Sequence, residues 1–270
     1  MLNILRMDLY RLIRSKSVYI CFAILVLMSL LCYWMVWLIS TPDGQAAAGR
    51  LGMTGVVYIN GETDSLDIEQ YDSLEMFREV GMDGGAYSCI LGILMALFVC
   101  TDFHSGFIKN TLSIHRDRWK YIAGKIVLAG LLNLCFLVLS YGTSLLINMF
   151  FHNMLPLAGP GDALYYLTWA WLNTTAFVAL VIMVCVFTRS TSAGILATIL
   201  FGSGIVITIL SYVTGLFGAN GWTAYTLYIN LTYGPSRYAG LGDLKTYAVS
   251  IVFLAVYSVA AAAALSKRDI

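Results

Sequence analysis

The segment TDFHSGFIKNTLSIHRDRWK, residues 101–120, holds two of the three histidines of the chain, His104 and His115, and four of its sixteen Lys and Arg. Side chains of these types could do acid–base chemistry, contact nucleic-acid phosphates, or dock a partner beside a membrane. A second chemical possibility is Gly202-Ser203-Gly204, a small-residue setting for a serine nucleophile inside an apolar run. A serine needs a base within hydrogen-bond reach. His104, His115 and His152 all fall outside the apolar runs, so no intramembrane hydrolase is expected. The sequence contains no GxxxxGK[ST] loop and no HExxH, so neither P-loop nucleotide binding nor zincin chemistry is indicated. The cysteines form no CxxC pair and sit within apolar runs, where they read as small packing residues. No catalytic residue, metal site or cofactor is expected in this chain.

The elements that must carry residues 101–120 follow from composition. The chain has 270 residues, of which 59% are hydrophobic and 11% charged, and its mean hydropathy is +0.79. Soluble domains carry about 25% charged residues. A helix needs about 20 apolar residues to cross a hydrocarbon core, and six runs qualify: 18–39, 85–101, 121–150, 164–188, 193–217 and 247–265. The fourth and fifth are separated only by Thr188-Arg189-Ser190-Thr191-Ser192, a tight polar turn that makes them a helical hairpin. The expected fold is an all-α integral membrane protein, a single transmembrane domain over 1–270.

Residues 1–16 do not read as a cleaved leader, because Arg6, Asp8, Arg11, Arg14 and Lys16 precede an apolar run too long for one. Leu2, Leu5, Leu9 and Leu12 recur at helical spacing, which predicts an amphipathic helix lying in the membrane interface. With six spans the termini share a side. Arg6, Arg11, Arg14, Lys16, Lys109, Arg116, Arg118, Lys120, Lys125, Arg189, Lys267 and Arg268 fall on that side, and only Arg50, Arg78, Arg237 and Lys245 on the other, twelve against four. The positive-inside bias makes both termini and residues 102–120 cytoplasmic.

The outer loop 40–84 carries nine acids and two bases, a balance of −7. That charge either keeps the loop solvated or attracts cationic cargo. Leu66, Met76, Phe77 and Val80 predict a short helix near 65–80. The last outer segment, 218–246, is rich in Trp and Tyr, which suits an interfacial or re-entrant element. Lys125 lies near a span end and is expected to snorkel. A proton-coupled pump would show a buried acid in a span, so another energy source is expected. Asn133, Ser140, Thr143, Asn148, Asn173, Thr174 and Thr175 read mainly as interhelical hydrogen bonders. Ser88, Gly92, Ala96 and Cys100 in the second span, and Ala193, Ala197 and Gly202 in the fifth, form small-residue faces. Such faces serve packing within a subunit, a subunit interface or a cavity wall.

Residues 101–120 begin with the acid Asp102 and carry a glycine, Gly106, four residues on. They run through Lys109-Asn110-Thr111-Leu112 to the basic turn Ser113-Ile114-His115-Arg116-Asp117-Arg118, and Lys125 enters a long third span. This resembles the permease subunits of ABC-2-type transporters, which often show an acid, R-x-G-T-x-x-x-L, a P-x-S-R-like turn and G-K. The amphipathic N-terminal helix, six spans and cytoplasmic termini are also similar to that family. The chain departs from the pattern at Asp102, where the family has Glu, and at Ile114-His115, where it has a proline.

The resemblance implies a type V exporter-like fold with a cytoplasmic coupling helix in 102–120 that docks on a separate ABC ATPase subunit, where ATP and Mg are bound. Asp102, Phe103, His104, Phe107, Ile108, Lys109, Leu112, His115, Arg116 and Arg118 are the expected coupling residues, with apolar anchors inside a cationic rim. It further implies a second permease subunit, identical or not. The second and fifth spans would line the pathway through Ser88, Gly92, Ala96, Cys100, Ala193, Ala197 and Gly202.

The expected function is export of an amphipathic peptide or lipid-like substrate across a bacterial plasma membrane, similar to the small permeases that export phenol-soluble modulins or antimicrobial peptides. A non-transporting sensor or assembly anchor, binding a ligand with the acidic outer loop, and a passive channel remain as other readings. Nucleic-acid binding is not expected, since the basic patch is small and lies against the bilayer.

Overall fold

A computed structural model describes residues 2–50, 72–108, 118–218 and 221–267. Helix α1 (Leu2–Arg14) breaks at Ser15 and leads into α2 (Lys16–Ser40) and α3 (Pro42–Arg50). After α4 (Ser73–Phe77), a π-helical turn (Arg78–Met82) and a 3-10 turn (Asp83–Gly85) feed α5 (Ala86–His104). Then come α6 (Arg118–Phe150), α7 (Pro160–Thr188), α8 (Thr191–Gly202), α9 (Ile205–Leu216), α10 (Leu227–Tyr233) and α11 (Leu244–Lys267). The described residues contain no strand.

Five helices are long and apolar enough to cross a bilayer, namely α2, α5, α6, α7 and α11, and the pair α8–α9 makes a sixth span if its halves cross together. The chain is an all-helical, multi-pass membrane protein. Helix α7 is the centre of the bundle. Of its apolar window 72% is buried within the protein, against 17% for α2 and 28% for α11, which lie at the periphery of the bundle. At 33 residues, α6 is about 50 Å long and overshoots a core of about 30 Å.

The fifth span is not the continuous helix expected over 193–217. The axis bends by 56° between α8 and α9. Gly204 there takes φ +74, and a Cβ on it would collide with the Tyr228 ring. Glycine alone gives both the left-handed backbone and the room for that ring. The turn before α8 is as tight as expected. Arg189 ends α7 at φ 55, and the Ser190 hydroxyl accepts from the Ala193 N–H to begin α8.

The helix expected near 65–80 is reduced to α4 and its π-helical extension, while 65–71 lie outside the described residues. Asp72 starts α4 by accepting from the N–H groups of Leu74 and Glu75, which satisfies donors that a helix start leaves without partners. The aromatic segment, described from residue 221 on, folds as a cap at one end of the bundle. Leu227 and Leu231 of α10 join the main core against α7.

Candidate functional site

Three of the buried charged residues among those described, Asp8, Asp102 and Lys125, gather where α1, α5 and α6 meet. Helix α1 turns Leu5, Asp8 and Leu12 inward, at spacings of three and four. Leu9 is exposed on the surface of the bundle. Asp8 is 1% exposed; Asp102, in the last turn of α5, and Lys125, in the second turn of α6, are 0% exposed.

Lys125 Nζ lies 2.7 Å from Asp8 Oδ2 and 2.6 Å from Asp102 Oδ2. The Tyr121 hydroxyl donates to Asp102 Oδ2 at 3.0 Å. Arg11 reaches in from the rim, with Nη2 2.9 Å from Asp102 Oδ1 and Nη1 3.5 Å from Asp8 Oδ1. The Arg11–Asp102 contact is a close ion pair without hydrogen-bond alignment, since Oδ1 accepts no hydrogen bond. Two carboxylates thus face two cations, and the cluster is neutral as a whole.

Aromatic faces close it off. The Phe98 ring lies 4.5 Å from Lys125 Nζ and 5.3 Å from the Arg11 guanidinium, and Phe107 stacks over Arg11 at 4.5 Å. Cations over such rings gain attraction that grows as water is excluded. Burial pushes the Asp8 carboxyl above its ordinary value, and the adjoining Lys125 opposes the shift.

This geometry corrects the expectation for Lys125. Its ammonium does not snorkel to headgroups but is enclosed by two carboxylates, and the reason is local. An isolated ion could not remain in so dry a place, whereas one held by two opposite charges can. Asp102, expected at a docking surface, is also fully enclosed and can act on a partner only through Arg11 and Lys125. Of the other expected coupling residues, His104 is exposed, Phe103 and Phe107 are half-buried, and Ile108 is inside the core. The Arg118 guanidinium donates to the carbonyls of Leu265 and Ser266 at the end of α11. Lys109, Leu112, His115 and Arg116 lie outside the described residues.

The cluster was only partly legible. Asp8, Arg11 and Tyr121 were not expected to take part in it. One signal was available: Asp8 sits three residues after Leu5 and four before Leu12, an acid on an apolar stripe. That placement implies a buried partner cation.

The two small-residue faces meet each other inside the chain. A Cβ on Gly92 would lie 2.5 Å from Thr198 Cγ2, one on Gly194 3.1 Å from Ala96 Cβ, and one on Gly202 2.6 Å from Cys89 Sγ. Ser88, Gly92, Ala96, Cys100, Ala197 and Gly202 are buried, and Ala193 is half-buried. The missing side chains therefore serve close approach of α5 and α8 within one subunit, the packing alternative for these residues. Nearby, Asn133 acts as a polar hub. Its amide nitrogen donates to Thr174 Oγ1, Thr175 Oγ1 and the Trp171 carbonyl, and its oxygen accepts from Tyr87.

At the opposite end, Arg237 Nη2 pairs with Asp72 at 2.8 Å, and Arg78 donates to the Thr232 carbonyl. These contacts tie the end of the acidic loop to the aromatic cap. An open pocket of about 660 Å³ beside them is lined by Glu75, Arg78, Glu79, Asp83, Tyr233 and Arg237, among others. Among the described residues no group of His, Cys, Asp and Glu is arranged to hold a metal ion. The chain matches no protein-family model and no curated protein.

Proposed function

We propose that the chain is the transmembrane subunit of an ATP-driven exporter, an ABC-2-type permease that moves an amphipathic peptide or lipid-like substrate out of a bacterial cell or its membrane. The observation that carries the reading is the Asp8–Arg11–Asp102–Lys125 cluster. It joins the interfacial helix, the end of α5 and the start of α6 on either side of the segment that the resemblance assigns to coupling. A push on this segment by a partner ATPase would then be borne by three elements held together. The partner closes as it binds ATP and Mg and reopens after hydrolysis; this chain supplies the lever and the spans.

In this reading both termini and the cluster face the cytoplasm, where the basic residues concentrate. Two permease subunits, identical or different, enclose the pathway, and their contact uses faces other than the α5–α8 seam. The acidic outer loop favours release of cationic amphipathic cargo by its field.

The test is co-purification of the full chain from its native membranes in mild detergent. An ATPase bearing a P-loop is expected to travel with it, and Arg116→Glu together with His104→Glu is expected to release that ATPase while leaving the chain folded. Purification without any ATPase, or binding indifferent to those charges, would remove the reading. A second reading, a ligand sensor, is favoured by the acid-rich outer pocket. It predicts ligand binding at the outer face with no ATPase attached.

A further inference from the structure

Three polar side chains of α7 share one buried face. Tyr166, Trp169 and Asn173 recur at spacings of three and four, so they form a single stripe along the helix. All three are 0% exposed. Among the described residues, the Tyr166 hydroxyl, the Trp169 Nε1–H and both amide atoms of Asn173 have no hydrogen-bond partner. The cap lies over the Trp169 end of the stripe. A Cβ on Gly234, just past α10, would collide with the Trp169 ring, and Leu227 and Leu231 of α10 share the core with Tyr166 and Trp169. Thr232 of α10 is also buried, and its hydroxyl is a fourth group without a partner.

A buried donor or acceptor left unpaired is costly, and nearly all such groups in folded proteins find partners. Asn133 shows the ordinary outcome, with its amide nitrogen and oxygen both engaged. We propose that the α10 cap is a lid that swings off α7 and gives Tyr166, Trp169, Asn173 and Thr232 water to bond with. Closed, the lid gains the burial of Leu227 and Leu231 and leaves the polar groups unpaired. Open, it loses the first and relieves the second, and this opposition is what lets a lid move. Its clasp is light. Arg78 donates to the Thr232 carbonyl. Arg237, beyond α10, reaches Asp72 at 2.8 Å with 55% of its side chain exposed, where water and salt screen the pair. The device rests on the packing of this chain alone and stands apart from the transport reading.

Hydroxyl-radical oxidation of the full-length chain in detergent, accumulated over repeated pulses and read by mass spectrometry, tests it without altering the stripe. Tyr87 and Tyr121 are the internal controls, being 1% and 2% exposed and hydrogen-bonded to Asn133 and Asp102. Tyr166 and Trp169 are expected to be oxidised while both controls stay protected. Arg237→Ala, which removes the exposed clasp, is expected to raise oxidation of Tyr166 and Trp169 about twofold or more and to leave the controls unchanged. Tyr166 and Trp169 as silent as the controls would overturn the proposal, since the stripe would then be sealed under a fixed cap. So would oxidation indifferent to Arg237→Ala, or a rise in all four residues together, which is loosening of the whole bundle.

Discussion

Replacing Lys125 by Met keeps the length of the side chain and removes its charge. Lys125 Nζ stands 2.7 Å from Asp8 and 2.6 Å from Asp102. With an effective dielectric constant near 20, each contact supplies roughly 6 kcal/mol of gross attraction. The cost of drying the ions and the repulsion between the carboxylates offset most of this. Removing one partner from a buried pair costs about 3–5 kcal/mol net, because the remaining charge stays buried. For a chain of this size that corresponds to a fall in Tm of roughly 10 °C. The assay is thermal unfolding of the detergent-purified protein at pH 7, followed by tryptophan fluorescence. The double variant Asp8→Asn, Lys125→Met removes one charge of each sign and leaves Arg11 facing Asp102 at 2.9 Å. It is expected to recover about half of the loss or more, since neighbours in one ion cluster are not additive. The reasoning is refuted if Lys125→Met melts with the wild type, or if the double variant loses the sum of the two single losses.

Three further outcomes follow from the same structure. The Asp8 carboxyl is raised by burial above its ordinary value of 3.8, so the folded state holds a proton that the unfolded state has already released. The stability from that proton is fully present below the ordinary value and is lost as pH rises through the folded one. Wild type should therefore gain on Asp8→Asn as pH falls from 7 toward 4 in a thermal-melt series; a parallel pair of curves would contradict it. Gly85→Ala places a Cβ on the Gly202 carbonyl at a positive φ of 74, and should cost about 1–3 kcal/mol or more by loosening α5 from α8, read as a lower Tm. Asn133→Ala takes a side-chain acceptor from Tyr87 and a donor from three oxygens, and should cost about 1–2 kcal/mol in the same assay.

Apolar runs made the spans legible, because about 20 continuous hydrophobic residues match, as a helix, the thickness of a hydrocarbon core. The tight turn at Arg189 and the packed small residues of α5 and α8 were legible for similar local reasons. The bend at Gly204 was not, since its cause is the Tyr228 ring, which approaches from a distant segment. The partner of each small-residue face was equally hidden: Gly92 shows that something comes close, and only the fold shows that it is Thr198. The charge cluster was the largest omission. Lys125 lies near the end of an apolar run, a position that fits a snorkelling side chain as well as a buried one. Which of the two obtains depends on Asp8, 117 residues earlier, and on Asp102 at the end of another helix. The apolar-stripe position of Asp8 was the local sign of that pairing.

The most direct test of the central claim is substrate flux in proteoliposomes holding the chain together with any ATPase found to co-purify with it. The account predicts that ATP and Mg drive a cationic amphipathic peptide across the bilayer, that the peptide stimulates ATP hydrolysis, and that Lys125→Met lowers flux more than it lowers ATPase binding. Flux that proceeds equally without ATP, or hydrolysis and transport indifferent to both peptide and Lys125→Met, would contradict it.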